Sequence, residues 1–228
     1  VRFTLDDPPF VGRTGNGVIV AVLDSGIHAE HPHVVGIAGG ISFSADVGDV
    51  SDRIGHGTAV AAAIREKAPG VELLAVKIFD QRLATNADVL ARAIEWSADN
   101  GAHLINLSLG TANPAHAERL TLAVDYAGER GSLVVSAFDA NGTPLLPGSL
   151  PAVVGVIADW SIARDAIDAA PRTGGVSTFS GSPYPRPIPG VAAERNLAGV
   201  SFAVANVTGF LARAIEAGAI SSVVHGRS

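Results

Sequence analysis

The sequence contains no cysteine and no methionine, and only 17% of its 228 residues are charged. Without cysteine there is no thiol nucleophile, no disulfide framework and no thiolate zinc site. The missing methionine extends to position 1, which reads as a processed or trimmed start. No apolar run approaches the roughly 20 residues that a membrane-spanning helix needs. No signal peptide is visible in the chain, and no compartment is assigned from sequence. Lysine and arginine form no block and the formal net charge is −6. That balance argues against nucleic acid as a partner. Aromatic residues are scarce as well, at 5%.

Hydrophobic residues make up 47% of the chain, beside 26 glycines and 13 prolines. This is the balance of a globular chain with many short connections, and the expectation is a single domain over residues 1–228. Short β-branched runs at 18–23, 73–79, 104–107, 133–135 and 153–157 read as buried strands. Alanine-rich stretches at 57–67, 86–98, 114–128 and 202–217 carry helical spacing. The alternation predicts an α/β fold, with a mainly parallel central sheet and helices on both faces. Such sheets carry their chemistry beyond the carboxyl ends of the strands.

Three motifs fall at such positions. In VAVLDSGI (20–27) an apolar strand stops at Asp24 and a glycine turn follows. A carboxylate there can orient a histidine, or simply cap the turn. In GHGTAVAAAI (55–64) two glycines flank His56 and let other backbone approach the imidazole closely. A histidine that merely starts a helix leaves both glycines unexplained. In GVSFAVANVTG (199–209) Ser201 begins a small-residue helix. Helix N–H groups and the positive dipole end then lie beside its oxygen, and an ordinary N-cap serine would look the same.

Together these motifs resemble the subtilisin-like serine proteases, the subtilases, whose triad runs Asp, His, Ser along the chain. The resemblance implies the subtilisin-like fold and a catalytic triad of Asp24, His56 and Ser201. It extends to AVKIFD (75–80), INLSLG (105–110), LPAVVGV (150–156) and IPGV (188–191), and so covers residues 17–209. It implies that Ser108, Leu109 and Gly110 align a peptide or protein substrate as an added strand, with no cofactor and no metal. Departures are Val200 before the nucleophile, Ala59 in place of a frequent histidine, and Ala205-Asn206 in place of Pro-His.

The oxyanion asparagine of the family is displaced. In LVVSAFDANG (133–142) an ungapped match places Ala140 there, and a shift by one places Asp139 or Asn141. Asn141 is the preferred donor, with Asn196 another candidate, while Asp139-Ala140-Asn141-Gly142 also reads as a plain turn. His28, His31 and His33 read as a surface loop rather than a metal site. Asp46, Asp49 and Asp52 read as a solvated acidic loop rather than a calcium site. Pro183, Pro185, Pro187 and Pro189 read as a rigid connection ahead of the nucleophile.

The implied reaction is peptide-bond cleavage through an acyl-enzyme. Two alternatives accompany it: a feebly active or inactive peptide-binding protein using the same cleft, and a ligase or macrocyclase that passes the acyl group to an amine. A dinucleotide-binding domain is disfavoured, because no G-x-G-x-x-G follows the first strand.

Overall fold

The computed structural model describes residues 1–44, 48–80, 82–192 and 195–225. Its centre is a nine-stranded sheet. Strand β2 (Ile19–Asp24) lies in its interior, third from one edge, and pairs in parallel with β4 (Glu72–Lys77) and β5 (Leu104–Leu107). On one side β3 (Gly39–Ser42) joins β4. On the other, β6 (Leu133–Ala137), β9 (Val154–Ala158) and β11 (Thr178–Gly181) continue the parallel run. Two antiparallel additions, β10 (Ala166–Ala170) and β1 (Arg2–Thr4), close that edge.

The apolar pattern of β2 explains its place. A strand turns successive side chains to opposite faces. Val20 and Val22 enter one core with Val60 and Ile64 of helix α1 (His56–Lys67) and Phe210 of α4 (Val200–Glu216). Ala21 and Leu23 enter the other, with Ile94 of α2 (Ala87–Asp99) and Leu120 of α3 (Ala117–Glu129). Both faces are therefore covered, as a parallel sheet requires. The fold is an α/β arrangement with a mainly parallel central sheet and helices on both faces, as expected from the sequence.

Element boundaries differ from the sequence reading in small, explicable ways. Asn86 lies outside α2 as its N-cap, where its side chain accepts from the Val89 N–H. The expected helix from Pro114 opens instead as a short 3₁₀ turn, Pro114–His116, before α3 begins. A two-stranded hairpin, β7 (Asp139–Ala140) and β8 (Thr143–Pro144), follows β6. A final short helix, α5 (Ile220–His225), lies beyond α4.

Candidate active site

The carboxyl ends of β2 and β5 and the first turns of α1 and α4 meet in one place. Asp24 ends β2 with only 1% of its surface exposed. Its Oδ1 accepts the Ser25 N–H at 2.8 Å and the Ser25 hydroxyl at 3.2 Å. His56 opens α1, and its Nδ1 lies 2.8 Å from Asp24 Oδ1 and 3.0 Å from Oδ2. An ionised carboxylate only accepts, so the proton sits on Nδ1 and leaves Nε2 as the free base. This approach requires Gly57: a Cβ there would stand 2.2 Å from the Gly26 carbonyl oxygen and 3.1 Å from Asp24 Cβ.

The His56 pKa follows from competing influences. Burial, the largest, disfavours the imidazolium. The Asp24 hydrogen bond, the Asp24 charge and then the Asp52 charge favour it. Together they prevail, and the pKa lies above the ordinary 6.5.

Ser201 is the second residue of α4, so its N–H has no intrahelical acceptor. Gly199 before it adopts φ 154° and ψ 177°, a region essentially reserved for glycine. The Ser201 hydroxyl donates to the Ser108 carbonyl at 3.2 Å. Ser108 in turn donates to Asn106 Oδ1 at 3.2 Å, and Asn106 Nδ2 donates to Thr208 Oγ1 on α4 at 2.8 Å. This buried chain pins the end of β5 to the helix that carries Ser201. The His56 ring lies 5.7 Å from that of Phe202, centroid to centroid. Asp24 and His56 are thus bonded directly, and His56 packs against the residue next to Ser201. Among the described residues no hydrogen bond joins His56 to Ser201, whose hydroxyl is turned to the Ser108 carbonyl.

Asn141 lies elsewhere in character. It is exposed at the tip of the β7–β8 hairpin, with φ 52°, followed by Gly142 at φ 81°. Two successive positive φ values are the Asn-Gly signature of a tight hairpin turn. The Gly142 N–H donates to Asp139 Oδ2 at 3.0 Å, so Asp139 serves the same turn as an acceptor. Asn196 Nδ2 reaches the Arg186 carbonyl at 3.4 Å. None of the three side chains is hydrogen-bonded to Ser201 among the described residues. Asp139 and Asn141 form the plain Asx turn weighed above, and Asn196 belongs to a separate loop.

Asp52 is the contributor that sequence reasoning missed. It was read as part of a solvated loop, yet its carboxylate gathers donors from both sides of the site. Oδ1 accepts from Ser25 Oγ at 2.8 Å and from the Ile54 and Gly55 N–H groups at 2.9 and 2.8 Å. Oδ2 accepts from the Thr58 N–H and hydroxyl at 2.8 and 2.6 Å. It caps the start of α1, where the helix dipole favours an anion. Asp49 accepts from the Ser51 N–H, which holds its pKa down at about 2. The fully buried Lys77 donates to the Ser51 carbonyl at 2.9 Å and steadies the same loop. Asp46 lies outside the described residues. Among the described residues no cluster of three or more His, Cys, Asp or Glu is arranged to hold a metal.

Asp52→Ala would leave the Thr58 N–H and hydroxyl without their acceptor, and the Ser25 hydroxyl with only the longer bond to Asp24. It is expected to lower stability by about 2 kcal/mol, read as a shifted urea midpoint. An unchanged midpoint would show that these bonds are replaced by water at no cost.

The architecture and the site at its strand ends place this chain among the subtilisin-like α/β proteins. It belongs to the subtilase family, whose model matches residues 15–224. It is 41% identical over 140 residues to Subtilisin Savinase of Lederbergia lenta, covering 58% of this chain and 51% of that protein. Against Alkaline elastase YaB of Bacillus sp. (strain YaB) it is 34% identical over 210 residues, covering 86% of this chain and 52% of the relative. The Minor extracellular protease Epr of Bacillus subtilis (strain 168) is 35% identical over 195 residues, 76% of this chain and 30% of Epr. The chain therefore spans about half, or less, of the length of these curated relatives. Among solved structures, a lanthipeptide protease superposes with a TM-score of 0.72 at 20% identity, covering 90% of this chain and 75% of its own. At that identity the likeness speaks for the fold.

Proposed function

We propose that the chain is a serine-type endopeptidase domain that cleaves peptide bonds through Asp24, His56 and Ser201. The observation that carries this reading is the bonded Asp24–His56 pair at the end of β2, packed against the first turn of α4. In the proposed cycle the Ser201 hydroxyl swings from the Ser108 carbonyl to His56 Nε2 and attacks the substrate carbonyl. His56 takes the hydroxyl proton and delivers it to the leaving amine. Water, deprotonated by the same imidazole, then releases the acyl group. Asp24 holds the tautomer and stabilises the imidazolium. The Ser201 N–H, which has no acceptor among the described residues, faces the developing oxyanion. Substrate lies along Ser108, Leu109 and Gly110 as an extended strand.

A fluorophosphonate probe tests the nucleophile. The wild type is expected to be labelled at Ser201 and Ser201→Ala to stay unlabelled. Equal labelling of both would end the proposal.

The oxyanion donor separates this reading from a slow peptide-binding protein, which the exposed position of Asn141 favours. A donor that strengthens only in the transition state would give a loss of about 10²–10³ in kcat on removal. For Asn141→Ala the expected change is instead within about threefold, as for other exposed substitutions. A loss of 10² or more would restore Asn141 as the donor.

A further inference from the structure

The Ser25 hydroxyl stands between two carboxylates. Its oxygen lies 3.2 Å from Asp24 Oδ1 and 2.8 Å from Asp52 Oδ1, and it accepts the Gly57 N–H at 3.0 Å. A hydroxyl has one proton to give. The shorter contact marks Asp52 as its acceptor. Asp24 Oδ1 then keeps the Ser25 N–H and the His56 Nδ1 proton, both at 2.8 Å. Were Asp52 absent, the hydroxyl would turn wholly to Asp24, and a third donor would share the oxygen that His56 uses. Ser25 is fully buried and Asp24 nearly so. Competition for an acceptor matters most where no water can supply another.

The same carboxylate holds the backbone on both sides of His56. Gly55, before it, donates its N–H to Asp52 Oδ1 at 2.8 Å. Thr58, two residues after it, donates its N–H and hydroxyl to Oδ2 at 2.8 and 2.6 Å. Gly57, between them, is tied to Asp52 through Ser25. The N-cap of α1 is Gly55, which has no side chain to cap with, so the first turn takes its anchor from outside. Thr58 passes the hold on, since its hydroxyl oxygen accepts the His28 N–H at 3.0 Å.

Ionisation suits Asp52 to this work. Burial, the largest influence, raises its pKa. The Thr58 bonds, and then those of Gly55 and Ser25, outweigh it, so the group stays charged and only accepts. The charges that act on His56 are those of Asp24 and Asp52. Among the described residues no hydrogen bond joins Asp52 to the imidazole itself.

We propose that Asp52 is a positioning residue for the reaction, holding the Ser25 hydroxyl off Asp24 and the backbone around His56 so that the Asp24–His56 pair keeps its bonded geometry. It acts through these neighbours and touches no reacting atom. Its consequence for turnover rests on the peptidase reading, while its hold on His56 can be measured without turnover.

Asp52→Asn keeps the shape and removes the charge, and its single carbonyl can serve only one of the two donor sets. The experiment measures kcat and KM for a peptide amide, counted per Ser201 labelled to completion by fluorophosphonate. The His56 titration is followed beside it by proton NMR, assigned by its absence in His56→Ala. Asp52→Asn is expected to lower kcat per labelled site by about 10², the scale of a small misplacement in an active site, with KM within about threefold. The His56 titration should move to lower pH. Ser25→Ala removes the link alone and is expected to lower kcat at least about tenfold, and the double variant should be little worse than Asp52→Asn. Asp49→Ala is the control. Its carboxylate belongs to the same loop and accepts the Ser51 N–H at 2.8 Å. Removing it should leave kcat and the titration near wild type.

A purely structural Asp52 would reduce the labelled fraction and leave kcat per site and the titration unchanged, which overturns the proposal. An equal loss in Asp49→Ala overturns it too. If thermal unfolding shows that Asp52→Asn does not fold, wild-type kcat in Ser25→Ala is enough to overturn it. Absence of labelling in the wild type would instead overturn the peptidase reading, and the titration alone would then decide whether Asp52 holds His56.

Discussion

Ser201→Ala and His56→Ala are each expected to abolish nearly all hydrolysis, with a loss on the order of 10⁶ in kcat, the scale of a related subtilisin triad. The double variant is expected to be hardly worse than either single one. Ser201 without a base is an alcohol hydrogen-bonded to a carbonyl, and His56 without a nucleophile has no proton to take. Each loss therefore removes the same step, and the free energies do not add. The residual rate should come from the Ser201 N–H and from substrate alignment along Ser108 to Gly110, which neither change removes. The measurement is kcat for a peptide amide, in all three variants, at a pH above 7. Multiplying losses would mean that the two residues act on separate steps. Activity near wild type in either single variant would mean that the residue replaced takes no part in the chemical step.

The centre of the sheet was legible because its residues have no alternative. In β2 nearly every side chain is buried on one face or the other, so the sequence shows an almost unbroken apolar run with an abrupt polar end. That end is Asp24, and the same logic made His56 legible through the glycines around it. The rim of the sheet carried no such signal. In β10, AIDAA, and β11, TFSG, small and polar residues mix, and their place depends on pairing with distant strands. β1 spans three residues and is a strand because β10 is there. Asp52 was illegible for a related reason. Its partners Ser25 and Thr58 lie in separate segments, and a carboxylate in a loop looks the same whether it faces water or five donors. At Asn141 the turn signal was present in the sequence, and the hairpin took that local chemistry over the displaced family motif.

Asp24→Asn is expected to lower kcat by about 10⁴ while leaving the fold intact, because it changes one atom in a buried position. The Ser25 N–H already donates to one oxygen of residue 24, which is the place an asparagine carbonyl would take. The amide nitrogen then faces His56 Nδ1 and donates to it. That forces the proton onto Nε2 and removes the lone pair that Ser201 needs. The pH dependence moves as well. If His56 acts as the base it must be neutral, so activity is expected to rise with pH through a pKa above 6.5. Without the Asp24 bond and charge, burial dominates and the pKa falls, so the acid limb of the residual activity should move to lower pH. Stability follows the same linkage with the opposite sense. A raised histidine pKa stabilises the fold fully below its unfolded value, near 6.5, and this is lost as pH climbs through the folded pKa. The wild type should therefore lose stability across that window, and Asp24→Asn should not. An unmoved acid limb together with an unaltered stability profile would show that Asp24 does not set the ionisation of His56, whatever the distance between them.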